Sequence, residues 1–145
     1  MIRVTVQREA IDVAAALIQI EGDGAGAVAS FTGLVRADDG VSVLELEHYP
    51  GMPEAALTAL ADGAAARWDL IDVTIVHRVG PMRPGERVVF VATAARHRAA
   101  ALEACASLID RLKTEAPFWK REVTAEGSRW VEARGGDEVA AARWR

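Results

Sequence analysis

The sequence predicts an α+β fold with mainly antiparallel or mixed β-sheet, in a single domain that spans residues 1–145. Strand-like and helix-like segments interleave without the regular β-α-β alternation of a doubly wound fold. Several strand-like segments follow one another across short turns, which is typical of antiparallel pairing. The chain shows no internal repeat, low-complexity tract or linker, and 145 residues are enough to bury one core.

The amino-terminal part of the chain contains three strand-like segments and one short helical pattern. Residues 2–7 alternate apolar and polar side chains and are rich in β-branched residues, which predicts a strand. Asp12 is a suitable N-cap for a short helix over residues 12–20. Residues 27–36 and 41–49 are both strand-like and are joined by the sequence ADDG. We therefore predict that these two segments form a β-hairpin.

The rest of the chain predicts two long helices, each followed by a pair of strands. Residues 50–68 carry apolar side chains at helical spacing, with Pro53 in a first turn where proline is tolerated, and indicate a helix of about 15 residues. Residues 97–116 form the longest helical pattern in the chain. The strands are predicted over residues 72–80, 86–94, 120–124 and 129–133.

Composition and charge exclude several classes of protein. The formal net charge is −4, whereas binding to nucleic acid or to a membrane surface needs a cationic field, so neither partner is expected. The single cysteine, Cys105, cannot form an internal disulfide and is predicted to lie in the core, and no cysteine–histidine cluster has metal-ligand spacing. The chain start lacks a signal-peptide pattern, and no apolar run approaches the roughly 18 residues of a membrane span. We therefore expect a cytoplasmic protein without a metal.

Both lysines of the chain lie in one segment, LKTEAPFWKRE, although the other fifteen Lys and Arg side chains are all arginine. Lys113 ends the predicted helix, and Pro117 turns the chain back so that Lys120 approaches the same cleft. At about 100° per residue, Lys113 lies within about 20° of Leu102, a member of the predicted apolar stripe, and so on the buried side or its shoulder. Geometry leaves two interpretations open: a helix-end lysine that suits the dipole, or a partly desolvated amine able to attack or hold a carboxylate.

Other cations and histidines also stand at the ends of predicted elements. The sequence ARHR places His97 and Arg98 where a strand passes into a helix, and unpaired N–H groups there favour a phosphate or carboxylate. Arg36 ends a strand and supplies a third cation, although solvated loop charges explain all three equally well. His48 is interpreted first as a turn residue, and His77 as a strand residue with its hydrogen bonds satisfied.

The sequence resembles the MoaE family, the catalytic large subunits of molybdopterin synthase. The similarity runs from about Ile2 to Trp144 and is carried by FTGLVR, LELEHYPGM, VTIVHRVG, PGERVVFV, and LKTEAPFWKRE followed by RWVEAR. The resemblance implies an α/β-hammerhead fold with an additional antiparallel sheet. It also implies transfer of two sulfurs to cyclic pyranopterin monophosphate, without a cofactor, from the thiocarboxylated Gly-Gly C-terminus of a small ubiquitin-like subunit. The implied assembly is a heterotetramer around a homodimer of large subunits.

The resemblance also assigns roles to individual residues. It implies that Lys113 and Lys120 are the two essential lysines beside the tail, with Lys113 next to its terminal carbonyl. His97 belongs to the catalytic acid–base set. The further substrate-binding positions are Arg36, Arg98, Phe31, Glu122 as a supporting carboxylate, and Arg134, which is among the residues that reach across the dimer.

Two non-catalytic interpretations remain. In the first, the cationic pocket only binds a ubiquitin-like C-terminus or a phosphorylated metabolite, and no chemistry follows. In the second, the chain is a structural dimer whose predicted hairpin pairs edge to edge, and neither lysine matters. Leu34 stands where a lysine is common in the family, and Ala95, Ala99 and Ala100 replace serines around His97, so the resemblance does not supply hydroxyl contacts to a phosphate.

Overall fold

The computed structural model describes residues 1–22, 24–36, 40–131 and 135–144, without the side chains of 135–138. Within these ranges strands and helices interleave, as the sequence predicts. Their bounds are β1 (Ile2–Gln7), α1 (Val13–Ile20), β2 (Ala27–Leu34), β3 (Val43–His48), α2 (Met52–Trp68), β4 (Asp72–Arg78), β5 (Gly80–Met82), β6 (Arg87–Ala95), α3 (Arg98–Glu115), β7 (Phe118–Thr124), β8 (Gly127–Val131) and α4 (Gly135–Ala142).

The strands form two four-stranded sheets. The first sheet has the order β1-β4-β6-β2, in which β1 is parallel to β4 and the other neighbours are antiparallel. The second sheet has the order β5-β3-β7-β8 and is antiparallel throughout. This arrangement confirms the α+β class with a mixed sheet and an additional antiparallel sheet.

The predicted hairpin over residues 27–36 and 41–49 is wrong, because β2 and β3 lie in different sheets. β2 pairs with β6, from Ala27 opposite Ala95 to Leu34 opposite Arg87. Eight of the nine residues of β6 are buried, so this strand needs a neighbour on each side, and β2 supplies one of them. β3 instead alternates buried leucines with glutamates, a pattern that suits a sheet with one solvated face.

The core lies on both faces of the first sheet, and β6 contributes to each. Val89 and Val91 belong to the larger cluster with Leu57 of α2 and Leu108 of α3, whereas Phe90 belongs to a smaller cluster under α1. Successive strand side chains point to opposite faces, so one buried strand serves both layers. This double burial places β4 and β6 at the centre of the fold, and α3 packs on β6 and its neighbour β2.

The helix boundaries follow their capping residues. Asp12 Oδ1 accepts a hydrogen bond from the N–H of Ala15 at 3.0 Å, which confirms Asp12 as the N-cap of α1. Pro53 lies in the first turn of α2, as predicted, and Gly51 precedes it in the left-handed conformation at φ 87°. His97 is the N-cap residue of α3. No helix in the described ranges is long and apolar enough to cross a membrane.

The end of the chain packs against α2 and α3. Trp144 Nε1 donates to Asp110 Oδ2 at 2.7 Å, and the ring of Trp144 meets that of Trp68 edge to face at 5.8 Å. Arg67 donates to the backbone oxygen of Trp144 at 3.0 Å and lies over the Trp68 ring at 4.4 Å. These contacts hold the segment after α4 in place, and the sequence gives no strong signal for either α4 or the three-residue β5.

Candidate active site

The two lysines stand on either side of the turn between α3 and β7. Lys113 is in the last turn of α3, and Lys120 is the third residue of β7. The turn is tight, because the N–H of Ala116 donates to Leu112 O at 3.2 Å and that of Phe118 donates to Ala116 O at 3.0 Å. The structure therefore brings both lysines to one end of α3, as the segment LKTEAPFWKRE predicts.

Lys113 is exposed and so does not lie on the buried side of α3, the first of the two positions that its spacing allowed. The prediction counted Leu102 in the apolar stripe, but Leu102 is 61% exposed. The small side chains of Ala101 and Ala104 let the helix approach the first sheet closely, which rotates Leu102 outwards. Lys113 accordingly lies on the flank of the helix, and the buried residues are Ala101, Ala104, Cys105, Ser107, Leu108 and Leu112.

His77 lies beneath the lysine end of α3 and is buried. Its Nδ1 donates to the backbone oxygen of Arg78 at 2.8 Å, and its ring stacks on Phe118 with centroids 4.1 Å apart and planes 20° apart. Burial, with a smaller contribution from the charge of Lys113, lowers the pKa of His77 to about 4, although its bond to Arg78 O acts in the opposite direction. The ring is therefore neutral near pH 7, which confirms His77 as a satisfied strand residue.

Lys120 and Glu122 share the inner face of β7. They pair with Leu46 and Leu44 of β3, whose side chains are buried, and alternate strand residues point to the same face. Glu122 is buried and accepts a hydrogen bond from Nη2 of Arg129 at 3.2 Å. Glu122 thus orients the guanidinium of Arg129 in β8. Arg129 was not singled out from the sequence, although it follows Glu122 by seven residues across a short hairpin turn.

Phe31 and Arg36 approach the same region from the edge strand β2. Phe31 is 39% exposed and points to the face of the first sheet that α3 covers, because it alternates in step with the core residue Ala29. A Cβ atom at Gly33 would lie 2.7 Å from Val89 Cγ1 and 3.3 Å from Phe31 Cε1, so the glycine makes room for the Phe31 ring. Arg36 follows the end of β2 and is exposed.

His97 and Arg98 occupy the opposite end of α3 and are both exposed. The side chain of His97 makes no capping hydrogen bond, so it leaves the N–H groups of the first turn to other acceptors. Arg98 and Lys113 are separated by roughly 20–25 Å, at 1.5 Å per helical residue. Within one chain the predicted site residues therefore form two groups, one at each end of α3. Arg134 lies outside the described residues.

The described residues provide neither a group of metal ligands nor a reactive thiol. No group of three or more His, Cys, Asp or Glu side chains in the described part of the chain could hold a metal ion. Cys105 is buried, which confirms its predicted place in the core, and burial raises the pKa of its thiol to about 11. Cys105 is thus protonated at neutral pH and unsuited to be a nucleophile.

Comparison with known proteins finds similarity to one family. A family model described as MoaE protein matches residues 6–115. That range includes Lys113 and ends before Lys120. A molybdopterin synthase catalytic subunit from Ralstonia nicotianae is 57% identical over 122 residues, which cover 82% of this chain and 69% of that relative.

Solved structures extend the similarity to the last strands and helix. The molybdopterin biosynthesis MoaE protein from Burkholderia ambifaria is 48% identical, with a TM-score of 0.86 over 99% of this chain and 98% of that one. A structure from Helicobacter pylori, described as a protein–protein complex of subunits 1 and 2 of molybdopterin-converting factor, is 21% identical. It has a TM-score of 0.74 over 90% of this chain and 91% of that one and shares the fold.

Proposed function

The chain belongs to the MoaE family, and on this premise we propose that it makes the molybdopterin dithiolene by inserting two sulfurs into cyclic pyranopterin monophosphate. Family membership gives the general activity, that of a molybdopterin synthase catalytic subunit, which is an enzyme of molybdenum cofactor biosynthesis. The sulfur donor in this proposal is the thiocarboxylated Gly-Gly C-terminus of a small ubiquitin-like subunit. The reaction takes place in the cytoplasm and needs no cofactor, because the donor itself carries the sulfur.

The observation that carries the proposal is the placement of Lys113 and Lys120 on either side of one tight turn. A thiocarboxylate is an anion, and two ammonium groups orient it through charge-assisted hydrogen bonds. A Gly-Gly tail carries no side chains, so its backbone can enter a narrow cleft. Once the sulfur has bonded to the pterin carbon, the acyl–sulfur bond breaks. It breaks because water adds to the acyl carbon, so that the sulfur keeps the bonding electrons and stays on the pterin while the tail leaves as a carboxylate. Lys113 either stabilises the oxyanion of this addition intermediate or itself adds to the acyl carbon, and water then hydrolyses the acyl-lysine to release the carboxylate.

The other end of α3 suits the phosphate of the substrate. His97 and Arg98 stand at a helix N-terminus, where N–H groups and the dipole favour an anion. His97 or Lys120 supplies the proton that opens the cyclic phosphate and expels water at the second carbon. Arg36 adds a cation at the lysine end of the helix.

The distance between the two groups supports a pocket shared by two copies of the chain. An 18-residue helix is roughly 27 Å long, so a compact substrate does not touch both ends of one α3. In the homodimer that forms the centre of the proposed heterotetramer, the lysine end of one copy faces the His97 end of the other. Arg134 joins this pocket across the dimer, as the family resemblance implies.

Mixing two inactive variants tests the shared pocket. Lys113→Ala and His97→Ala homodimers are each expected to lose product formation with thiocarboxylated small subunit. After co-expression, half of the dimers are mixed and each mixed dimer holds one intact pocket, so activity returns to about one quarter of the wild-type value. A mixture with no more activity than its parents would show that both residues belong to the same chain's site.

A non-catalytic binding module is the alternative function, since exposed cations at both ends of α3 also suit binding alone. It predicts that purified protein binds the thiocarboxylated subunit and leaves the pyranopterin unchanged. Product formation, followed by mass spectrometry of the two-sulfur species, separates the two functions. The small subunit with an ordinary carboxylate is the matched control, because it binds without carrying sulfur.

A further inference from the structure

We propose that His77 is a positioning residue, which sets the spacing between Lys113 and Lys120 by holding the ring of Phe118 in a fixed place. This inference rests on the proposed function, because the two lysines matter together only if both act on one tail. It assigns His77 no direct contact with substrate. The role requires a flat, neutral side chain at this position.

The stack of His77 on Phe118 connects the two sheets next to the turn that separates Lys113 from Lys120. His77 belongs to β4 in the first sheet, and Phe118 is the first residue of β7 in the second sheet. Lys113 comes five residues before Phe118, and Lys120 comes two residues after it. The ring–ring distance of 4.1 Å therefore fixes where β7 begins relative to β4, and the tight turn connects that point to the end of α3. Once Phe118 is fixed, the strand geometry determines the position of Lys120.

The His77 ring is itself held by a hydrogen bond to the backbone. Its Nδ1 donates to Arg78 O at 2.8 Å, and the carbonyl can only accept, so Nδ1 carries the proton. The Arg78 side chain in turn donates to Arg8 O at 2.7 and 3.1 Å and to Glu86 Oε1 at 3.2 Å. The orientation of the imidazole is thus tied to the end of β1 and to the loop before β6. A ring held in this way can act as a fixed support for Phe118.

Burial, with the nearby charge of Lys113, explains why the His77 ring acts as an aromatic surface and not as an acid. Lys113 is a cation close to it, and a protonated imidazole would add a second positive charge in a buried place. His77 is only 5% exposed, so solvent does not screen that charge. The neutral ring packs flat against Phe118, as stacked aromatic side chains prefer. His97, exposed at the far end of α3, is the histidine suited to proton transfer.

The experiment compares His77→Phe and His77→Leu in the complete complex with thiocarboxylated small subunit. His77→Phe keeps a flat neutral ring, and its kcat is expected to stay within about threefold of wild type. His77→Leu removes the stack, and its kcat is expected to fall roughly 10-fold to 100-fold, because small displacements of reacting groups are costly. The KM for the small subunit should change little in both variants, since the docking surface is untouched.

A control variant separates positioning from stability. Ile75→Ala removes buried apolar atoms from the same face of β4, two residues away, and lowers stability without touching the stack. Its kcat per folded molecule, with folding checked by urea denaturation, should match wild type. Phe118→Leu tests the stack from the other side. Combined with His77→Leu, it should add no further loss in kcat, because both changes remove the same contact.

Several outcomes would overturn the inference. A His77→Leu kcat equal to that of wild type would show that the stack does not govern the lysines. An equal loss in His77→Phe and His77→Leu would show that the imidazole nitrogen matters and not the ring. If the kcat of Ile75→Ala falls as far as that of His77→Leu, lost stability alone explains the effect of His77→Leu. Wild-type turnover in the same assay tests the proposed function separately, since that function requires product whatever the variants do.

Discussion

The two ends of α3 differ in how they hold their functional side chains. At the carboxyl end, the His77–Phe118 stack and the hydrogen bonds of the tight turn fix the backbone between the two lysines, although the Lys113 side chain is itself exposed. At the amino end, His97 and Arg98 are exposed, and no side chain caps the helix. The first arrangement suits a bond-making step, which needs fixed distances, and the second suits binding of an anion whose own charge organises the contacts.

The largest expected effect comes from replacing the amine at the packed end. Lys113→Arg keeps the positive charge but removes an amine able to transfer a proton or accept an acyl group. We expect turnover with thiocarboxylated partner to fall by about 10²-fold to 10⁴-fold, the range typical of lost acid–base or nucleophilic groups. Arg111→Lys, on the same helix and paired with Glu115, is the matched control and should remain active. Sulfur transfer near the wild-type rate in Lys113→Arg would leave Lys113 only an electrostatic role.

The second-largest expected effect is a loss of stability as pH falls, caused by protonation of His77. The pKa of His77 is about 4 in the folded chain, against an ordinary value of 6.5. Between these two values His77 binds a proton in the unfolded state but not in the folded state, so protonation favours unfolding. The contribution of this residue is therefore present above pH 6.5 and is lost between pH 6.5 and 4, by about 3 kcal/mol. Urea denaturation of wild type and His77→Phe over that range measures the difference, because other titrating groups cancel. Parallel curves would contradict the buried neutral imidazole.

A smaller effect is expected at the exposed end. Arg98→Ala removes one charge-assisted contact to phosphate, which should raise the KM for the pyranopterin about tenfold. The kcat at saturating substrate should change much less, because the lysines stay in place. Arg3→Ala is the control for lost charge, because it removes an arginine of β1 that is paired with Asp72 of β4. If Arg98→Ala lowers kcat and leaves KM unchanged, the amino end of α3 takes part in chemistry and not only in binding.

The smallest effect is expected between the two ends, at Leu102. This side chain is 61% exposed in the described chain, so Leu102→Ser should change the free energy of unfolding by at most about 0.5 kcal/mol. Leu108→Ala, a buried position of the same helix, should cost about 2–5 kcal/mol under the same conditions. If Leu102→Ser destabilises the protein as strongly as Leu108→Ala, the helix is rotated as the apolar stripe first indicated, or another subunit covers Leu102.

The sequence predicted the fold where one local signal decides the outcome. Asp12, Pro53 and the alternation in residues 2–7 mark element boundaries through capping and periodicity, and the structure agrees with each. The partner of a strand is decided elsewhere in the chain. The turn ADDG suited a hairpin, but the buried strand β6 competes for β2 through an interaction that links residues more than fifty positions apart.

For the candidate site, the sequence likewise predicted the chemistry of the side chains better than their positions. The lysine pair and the ARHR sequence supplied the candidate reactive groups of the proposed function, since their chemistry follows from residue type. The rotation of α3 was missed because Ala101 and Ala104 count as weak apolar residues in a pattern, although their small size is what lets the helix approach the sheet. The separation of His97 from Lys113 follows directly from helix length, once the helix is known to be unbroken.

The four tryptophans lie in two regions, so their fluorescence reports on two different parts of the molecule. Trp68 and Trp144 lie against each other beside Arg67, and their emission should follow unfolding of the chain's end from α2 and α3. Trp119 and Trp130 are exposed on the second sheet, and Trp119 directly precedes Lys120. Both indoles lie on the face of the second sheet opposite Lys120, because Trp119 alternates with Lys120 and Trp130 pairs with Arg121, so a tail that binds beside Lys120 should leave their emission unchanged. A shift of that emission on binding would instead place the small subunit against this opposite face, and Trp119→Phe shows which part of the signal belongs to Trp119.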